Sequence, residues 1–519
     1  MAKKVAIIGS GVSGLGAAWL LTEYSTDYKV TLYEENDYLG GHTHTVDYIV
    51  PSTKNCKEPI ITPVDTGFIV FNHVTYPNLL KFFELKKVEF IDSKMSFAIS
   101  RNQGEFEWSG RTPISVFCQA KNLLSLEMWQ TIYDIVRFNF HSTDLLELPD
   151  DHPDKKMSIG EYLDINKYSK AFRDNYLLPM TAAIWSTPPD KCSLDFPALT
   201  LIQFMHNHCL LQILHRIKWF TVKNGSHKYV EVIAEKIPDI RLSTKVIQVK
   251  RSATSIKIID EKSNCEEYDH VIFATHADQT LKILGDEATD DEVDVLGGVK
   301  FNKNKAVLHC DLEFMPKRRL AFSSWNYLTK STGNSNINEV SLYVKYVNSR
   351  FIVMSIDEKI YGPVLVTLNP LDEIDPSKVH GEWHYEHPQY SPETIKSQQK
   401  LYKIQNQPNL HTTFAGAWTN YGFHEDGFTS GLKIAKEHFG VECPFEIIDA
   451  TYIRGKRAKL SFIGKLQKHS WIGFELFISF LCHLINFFCI LMVMLIESLE
   501  QLCYNISHDK LNNNNIKED

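Results

Sequence analysis

Val5-Ala-Ile-Ile-Gly9-Ser-Gly11-Val-Ser-Gly14-Leu-Gly16 decides the fold: an apolar β run ends in Gly-x-Gly-x-x-Gly and passes directly into a helical stretch, Gly14 to Thr22. Each glycine has a physical role. Gly9 permits the sharp strand-to-helix turn, Gly11 lets the backbone approach a pyrophosphate, and Gly14 lets helix and strand pack closely, with small Ala18 continuing that packing. The helix N-terminus offers unpaired N–H groups and the positive end of its dipole to two phosphates. The stretch therefore predicts an α/β fold built on a Rossmann-like dinucleotide-binding turn.

Working outward, a second strand, Lys29 to Tyr33, ends at Glu34, twenty residues beyond Gly14. A carboxylate there accepts hydrogen bonds from a ribose diol and repels a 2′-phosphate, so FAD or NAD is expected rather than NADP. Gly40-Gly41-His42 then forms a second glycine turn, which brings more backbone N–H groups to the same pyrophosphate. No other Gly-x-Gly-x-x-Gly occurs, so a separate NADPH site is not expected.

At 519 residues the chain exceeds one simple core, which predicts two intertwined domains plus appendages. A net charge of −8 and the lack of a basic stripe interleaved with aromatics outside the C-terminal region argue against a nucleic-acid partner. The ten cysteines are scattered, with no C-x-x-C pair and no Cys/His cluster at zinc spacing; they read as reduced thiols of a body facing the cytosol, with no metal.

The C-terminal region differs. Leu476 to Ile496 runs 21 residues without a formal charge, enough as a helix to span a hydrocarbon core of about 30 Å. Arg454, Lys456, Arg457, Lys459, Lys465 and Lys468 precede it, and Glu497 and Glu500 follow. The expectation is a transmembrane or monotopic anchor helix that keeps the catalytic body on the cytosolic side of a membrane. His483 and Asn486, three residues apart on one face, fit the in-plane alternative. Residues 497–519 read as a disordered tail, in which the sequon at Asn505 carries little weight.

Along the body, the expected segments are a FAD-binding part at 1–96, 217–295 and 396–445, interleaved with an α+β substrate domain at 97–216 and 296–395, and a basic linker at 446–475. Helical patterns run over Leu123 to Phe140 and Ser158 to Tyr176; β-like runs cover Ile240 to Lys250, Ser255 to Asp260 and Tyr268 to Thr275. Lys305 to Glu386 reads as the sheet of a substrate domain. Thr412 to Trp418 is a strand ending in glycine. It leads into Gly422 to Ala435, where a helix points its N-terminus at a ligand.

With these blocks in hand, residues 1 to about 440 resemble the FAD-dependent amine oxidase and desaturase superfamily, which includes phytoene desaturases and protoporphyrinogen oxidases. The resemblance implies non-covalent FAD. It assigns binding to Gly9, Gly11, Ser13, Gly14, Glu34, Gly40, Gly41 and His42, adenine contact to the Thr244–Val246 strand, and closure over the flavin to Gly416 and Gly422 through Gly427. Ala417 stands where the superfamily usually has an acidic residue, which leaves Glu425 or Asp426 to bond the ribityl chain. More narrowly, Gly40 to Val46, Val64 to Asn72, Leu178 to Pro189, the stretch from Asn207 and Gly422 to Gly427 resemble predicted NAD/FAD-binding proteins associated with cyclopropane-fatty-acid-synthase-type enzymes. In place of that subgroup's G-G-S-R stretch the chain has Lys223 to His227.

The implied chemistry is hydride transfer from a substrate C–H or C–N bond to the flavin, for which the protein supplies orientation and electrostatics. Trp418, Tyr421, Phe423 and His424 bracket the closing motif and are the expected flavin-lining, catalytic candidates. His42, His44, His73 and His276 recur near glycine turns, and Lys300, Lys303 or Lys305 lie where related amine oxidases place a lysine. A lipid or fatty-acyl dehydrogenase or desaturase is the leading expectation. An amine oxidase releasing peroxide and a non-catalytic lipid or prenyl carrier of the GDP-dissociation-inhibitor type are the alternatives.

Overall fold

The computed structural model describes residues 2–50, 58–185, 194–212, 217–331, 337–345, 356, 358–453, 465–478, 480–481 and 492. The opening run forms strand β1 (Lys3–Ile8), whose Val5 to Ile8 are buried on both faces, as a strand inside a parallel sheet requires. It enters helix α1 (Val12–Glu23), buried from Val12 to Leu21. Strand β2 (Tyr28–Tyr33) pairs parallel to β1, and the completed sheet runs Asp239–Arg241, β2, β1, His270–Phe273, Thr412–Phe414. The dinucleotide sheet is thus gathered from three distant stretches of chain.

The second large sheet has seven strands, in the order Val379–Gln389, Lys300–His309, Leu365–Leu368, Ile337–Lys345, Trp325–Ser331, Phe97–Arg101 and Phe106–Ser109. Helices Leu126–His141 and Leu178–Trp185 contribute side chains that pack on the Phe97–Arg101 and Phe106–Ser109 strands.

Two expected elements are interrupted. The helical pattern from Ser158 breaks after Ile165, because Lys167 takes a left-handed backbone and Ser169 starts a new turn by accepting the Phe172 amide. The run from Ile240 to Lys250 divides at Ser243, also left-handed; Asp239–Arg241 stays in the parallel sheet and Val246–Arg251 opens a three-stranded meander. Glu34 O accepts the Thr244 amide and Asn36 O the Ser243 amide, so this break carries Val246 to the end of β2.

α1 crosses the late helix His424–Phe439 at close range. A Cβ on Gly431 would stand 2.1 Å from Ser13 O, and one on Gly427 2.6 Å from Val12 Cγ1. Hydrogen is the only side chain that fits either place. Behind the crossing, Trp19 is fully buried, edge-on to Phe82 at 4.8 Å, and donates its indole N–H to Glu23.

Residues 465–478 are helical and leave Leu466, Phe474, Leu476 and Phe477 exposed. Most of the expected anchor Leu476 to Ile496, the basic residues Arg454 to Lys459 and the tail lie outside the described residues. Among the described residues no helix is long and apolar enough to cross a membrane.

Candidate active site

The glycine turns and the closing helix meet around one large cavity of about 2050 Å³, well above the roughly 300–1,000 Å³ of ordinary ligand pockets. Of the sequence-derived binding residues, Gly9, Gly11, Ser13, Glu34, Gly40, Gly41, His42, Val246, Gly416 and Gly422 line it. Gly9 has φ +100° and Gly40 φ +108°, conformations that L side chains avoid. Gly11 is different: its Cβ position is open, with nothing within 4 Å. That open space, at the N-terminus of α1, is a cradle a side chain would fill.

Glu34 is held by donors from two directions. Its Oε2 accepts the Ser10 amide at 3.0 Å and hydroxyl at 2.6 Å, and its Oε1 accepts the Asn36 amide and side-chain nitrogen, each at 2.9 Å. The carboxylate therefore joins the first glycine turn to the chain that follows β2. Gly40 N–H donates to Ser10 O at 3.1 Å, which locks the second glycine turn onto the first.

Several assignments move. Gly14 does not line the cavity; its Cβ would stand 2.0 Å from Gly9 O, so it serves helix–strand packing. Glu425 does not line it either. Its oxygens accept the Asn78 and Leu79 amides at 2.8 and 3.0 Å, capping helix α2 (Pro77–Lys86), and burial pushes its carboxyl up to about 8. Asp426 accepts the Phe423 amide and the Asn420 side chain, both at 2.9 Å, and burial raises it to about 7. Both carboxylates are consumed by their own scaffold, and neither is placed for the ribityl role. Gly427 packs on α1, outside the lining.

Trp418, Tyr421, Phe423 and His424 all line the cavity. Trp418 is 2% exposed and its indole N–H has no acceptor among the described residues. His424 is a scaffold group: its ring stacks on Phe68 at 3.8 Å, its Nε2 meets Tyr229 Oη at 2.5 Å and Thr43 Oγ1 at 3.1 Å, and burial lowers its pKa to about 3. A proton-transfer role for His424 is thereby disfavoured. Of the lysines, Lys303 lines the cavity and pairs with Glu386 at 3.6 Å, whereas Lys305 pairs with Glu382 at 2.8 Å and does not line it.

The Lys223 to His227 loop is a clasp. Ser226 donates its amide and hydroxyl to Asp65 Oδ1 at 2.8 and 2.7 Å, and Thr45 Oγ1 donates to the same oxygen at 2.5 Å. This holds the Val64 to Asn72 segment, with Gly67 and Phe68, against the cavity.

Sequence reading did not single out His387 and Tyr385, which join His42 at the polar part of the lining. His42 lies 5.0 Å from each ring and 6.2 Å from His276. Burial, reinforced by the neighbouring histidines, drives His42 well below its usual pKa and His387 to about 4, so these rings are neutral. The period-2 run Trp383 to His387 was the available signal. Away from the glycines the lining turns apolar, with Met128, Ile132, Ile135, Val136, Met180 and Ile184. Lys94, Arg111 and Lys218 also line the cavity.

This site defines a Rossmann-like dinucleotide-binding protein with an appended apolar chamber, and residues 7–84 match the NAD(P)-binding Rossmann-like domain family. Over more than four fifths of the chain the fold is shared with solved structures of oxidases and of a fatty acid isomerase. It is similar to the CLA-producing fatty acid isomerase from P. acnes, with a TM-score of 0.54 and 16% identity over 84% of this chain and 99% of that one. It is also similar to putrescine oxidase bound to putrescine, with a TM-score of 0.57 and 14% identity over 85% of this chain and 99% of that one. Coproporphyrinogen III oxidase of Staphylococcus aureus is 22% identical over 326 residues, 56% of this chain and 64% of that enzyme. The chain thus spans just under two thirds of the length of that relative. These likenesses bear on the fold and not on the narrower subgroup.

Proposed function

We propose that this protein is an FAD-dependent oxidoreductase that removes hydride from a fatty-acyl or similar lipid substrate. The open cradle at Gly11, the Glu34 carboxylate and the two interlocked glycine turns fit a bound FAD. Gly9 to Ser13, Gly40 and Gly41 would hold the pyrophosphate, Glu34 a ribose and Val246 the adenine. FAD, when bound, supplies the electron-pair acceptor for oxidation of a C–H or C–N bond.

The observation that carries the lipid reading is the chamber. Met128, Ile132, Ile135, Val136, Met180 and Ile184 bring no charge to its lining and exclude water from an alkyl chain. Lys94 and Lys218 flank the Ser93–Trp219 strand pair, a placement suited to an anionic head group. The other lining carboxylates have partners of their own: Glu34 is the ribose ligand, held by Ser10 and Asn36, Glu35 pairs with Lys245, and Glu386 with His276 and Lys303. Among the described lining residues Asp92 alone has no such ion pair or cluster of donors, which leaves little to hold an amine cation.

Membrane attachment through the C-terminal region belongs to the same reading. Its support is the uncharged run Leu476 to Ile496 and the exposed apolar residues on the helix at 465–478. Release of the full chain into the soluble fraction by salt alone would remove it.

The deciding experiment is anaerobic. Purified protein should be yellow, release its flavin on denaturation, and bleach when given fatty acids or acyl esters. Bleaching by primary amines or polyamines and not by lipids would replace the reading with an amine oxidase. A colourless protein that takes up no added FAD would replace it with a lipid carrier.

A further inference from the structure

Beside the cavity, one chain of hydrogen bonds has a direction that can be read without ambiguity, starting from a backbone amide. Lys305 N–H donates to Asn369 Oδ1 at 3.0 Å, and a backbone N–H can only donate. That fixes the orientation of the Asn369 amide. Its Nδ2 therefore donates to Asn304 Oδ1, at 2.7 Å. The Asn304 amide is fixed in turn, and its Nδ2 faces two groups, the Asn302 carbonyl at 3.4 Å and His387 Nδ1 at 2.8 Å. An amide nitrogen has no lone pair to offer, so His387 Nδ1 must be the acceptor. The tautomer follows: the proton of a neutral His387 sits on Nε2. That nitrogen has no protein partner among the described residues, and the ring lines the cavity beside His42.

We propose that the Lys305 amide, Asn369 and Asn304 lock His387 as the Nε2–H tautomer, so that it presents a fixed hydrogen-bond donor to an acceptor atom of the bound flavin or of the substrate. His387 is then the group that touches the ligand, and Asn304 and Asn369 are positioning residues. The identity of the ligand rests on the flavin reading above; the lock does not.

Three features support the lock. Asn304 is fully buried and pinned at both ends of its amide, so reversing it would break both bonds at once. Asn369 is tied on the backbone side as well, donating its own N–H to Lys305 O at 2.8 Å. The groups around the ring keep it uncharged: burial first, then the nearby His276, hold it down to about 4, while Glu386 is occupied by His276 and Lys303 and Tyr385 by Thr66. A neutral donor of fixed direction is suited to polarising an acceptor without bringing a charge into an apolar chamber.

The test begins with the protein labelled with 15N at histidine, read by long-range proton–nitrogen correlation at neutral pH, with H387Q identifying the ring. The expected pattern is an unprotonated Nδ1 and a protonated Nε2. Asn304→Asp places a carboxylate against Nδ1, so the two nitrogens should exchange character or both become protonated. A wild-type ring protonated on Nδ1, or an N304D spectrum like the wild type, overturns the lock. In the flavin-loaded protein, N304D and H387F then separate the two acceptors. If the flavin is the acceptor, its two-electron reduction potential moves by about 30 mV for a tenfold change in relative affinity. If the substrate is the acceptor, KM rises about tenfold and the potential stays. Neither quantity moving overturns the donor role. A colourless protein with the expected nitrogen pattern would sink the flavin reading and leave the lock standing.

Discussion

Gly11→Ala separates a structural glycine from a ligand-binding one. Gly11 is the N-cap of α1 with φ −61° and ψ 173°, ordinary extended geometry for any residue, and its Cβ position is empty to 4 Å. An alanine at an N-cap is about 0.5–1 kcal/mol worse than glycine. Against this, the lost freedom of the unfolded chain contributes about 0.4–1 kcal/mol in favour of the folded state. The two nearly cancel, so the flavin-free variant should unfold at the same denaturant concentration as the wild type. Binding is another matter, because the new methyl group stands in the space a pyrophosphate needs. Overpacking of that kind costs about 1–3 kcal/mol, which weakens FAD by roughly fivefold to 150-fold. The assay pairs urea unfolding of the stripped protein with FAD titration by quenching of flavin fluorescence. Gly14→Ala is the counterpart: its Cβ would lie 2.0 Å from Gly9 O and 3.2 Å from Ala274 Cβ, so the stripped protein itself should be destabilised. A G11A variant that binds FAD as tightly as the wild type would refute the placement of the pyrophosphate on this turn.

Glu34→Gln leaves one backbone N–H, of Ser10 or Asn36, facing an amide nitrogen; exposure of Asn36 directs the loss there, where water limits it to about 0.5–1.5 kcal/mol, and urea unfolding together with FAD titration should show both stability and affinity reduced. Asp426 and Glu425 have folded pKa values raised to about 7 and 8, so their contribution to stability is full below the ordinary carboxylate range and is lost as pH rises through those values. The unfolding free energy of the stripped protein should therefore fall between about pH 5 and pH 8, by at most about 1.4 kcal/mol per pH unit for each carboxylate; Asp426→Asn should flatten the profile, and a wild-type profile that rises over that range contradicts the assignment. Glu292→Ala strands Arg251, whose guanidinium is 6% exposed and bonded to Glu292 at 2.7 and 2.9 Å, and should cost about 3–5 kcal/mol in urea unfolding without altering the flavin spectrum.

The parts of the site legible in the sequence are those whose chemistry is local. A pyrophosphate turn needs its glycines within six residues of one another, so Gly9, Gly11 and Gly14 announce themselves, and Glu34 follows from the length of one strand–helix–strand unit. Glu425 and Asp426 misled for the converse reason. Their neighbours in the motif suggest a ligand, but their partners are the amides of Asn78 and Leu79 in one case and the Phe423 amide and Asn420 side chain in the other, and the carboxylates are spent before any ligand arrives. The break at Ser243 was equally hidden, since it depends on the carbonyls of Glu34 and Asn36, two hundred residues earlier. His387 shows the same principle at its furthest reach. Its tautomer is decided by Lys305, Asn369 and Asn304, brought together because Lys300–His309 lies between Leu365–Leu368 and Val379–Gln389 in the seven-stranded sheet. No spacing in the chain encodes that juxtaposition. Sheet register does, and register is set by which side chains the whole core buries. The character of the cavity is accordingly a property of the seven-stranded sheet as much as of the glycine turns, and substitutions along those three strands should alter the His387 tautomer while the Rossmann motif stays unchanged.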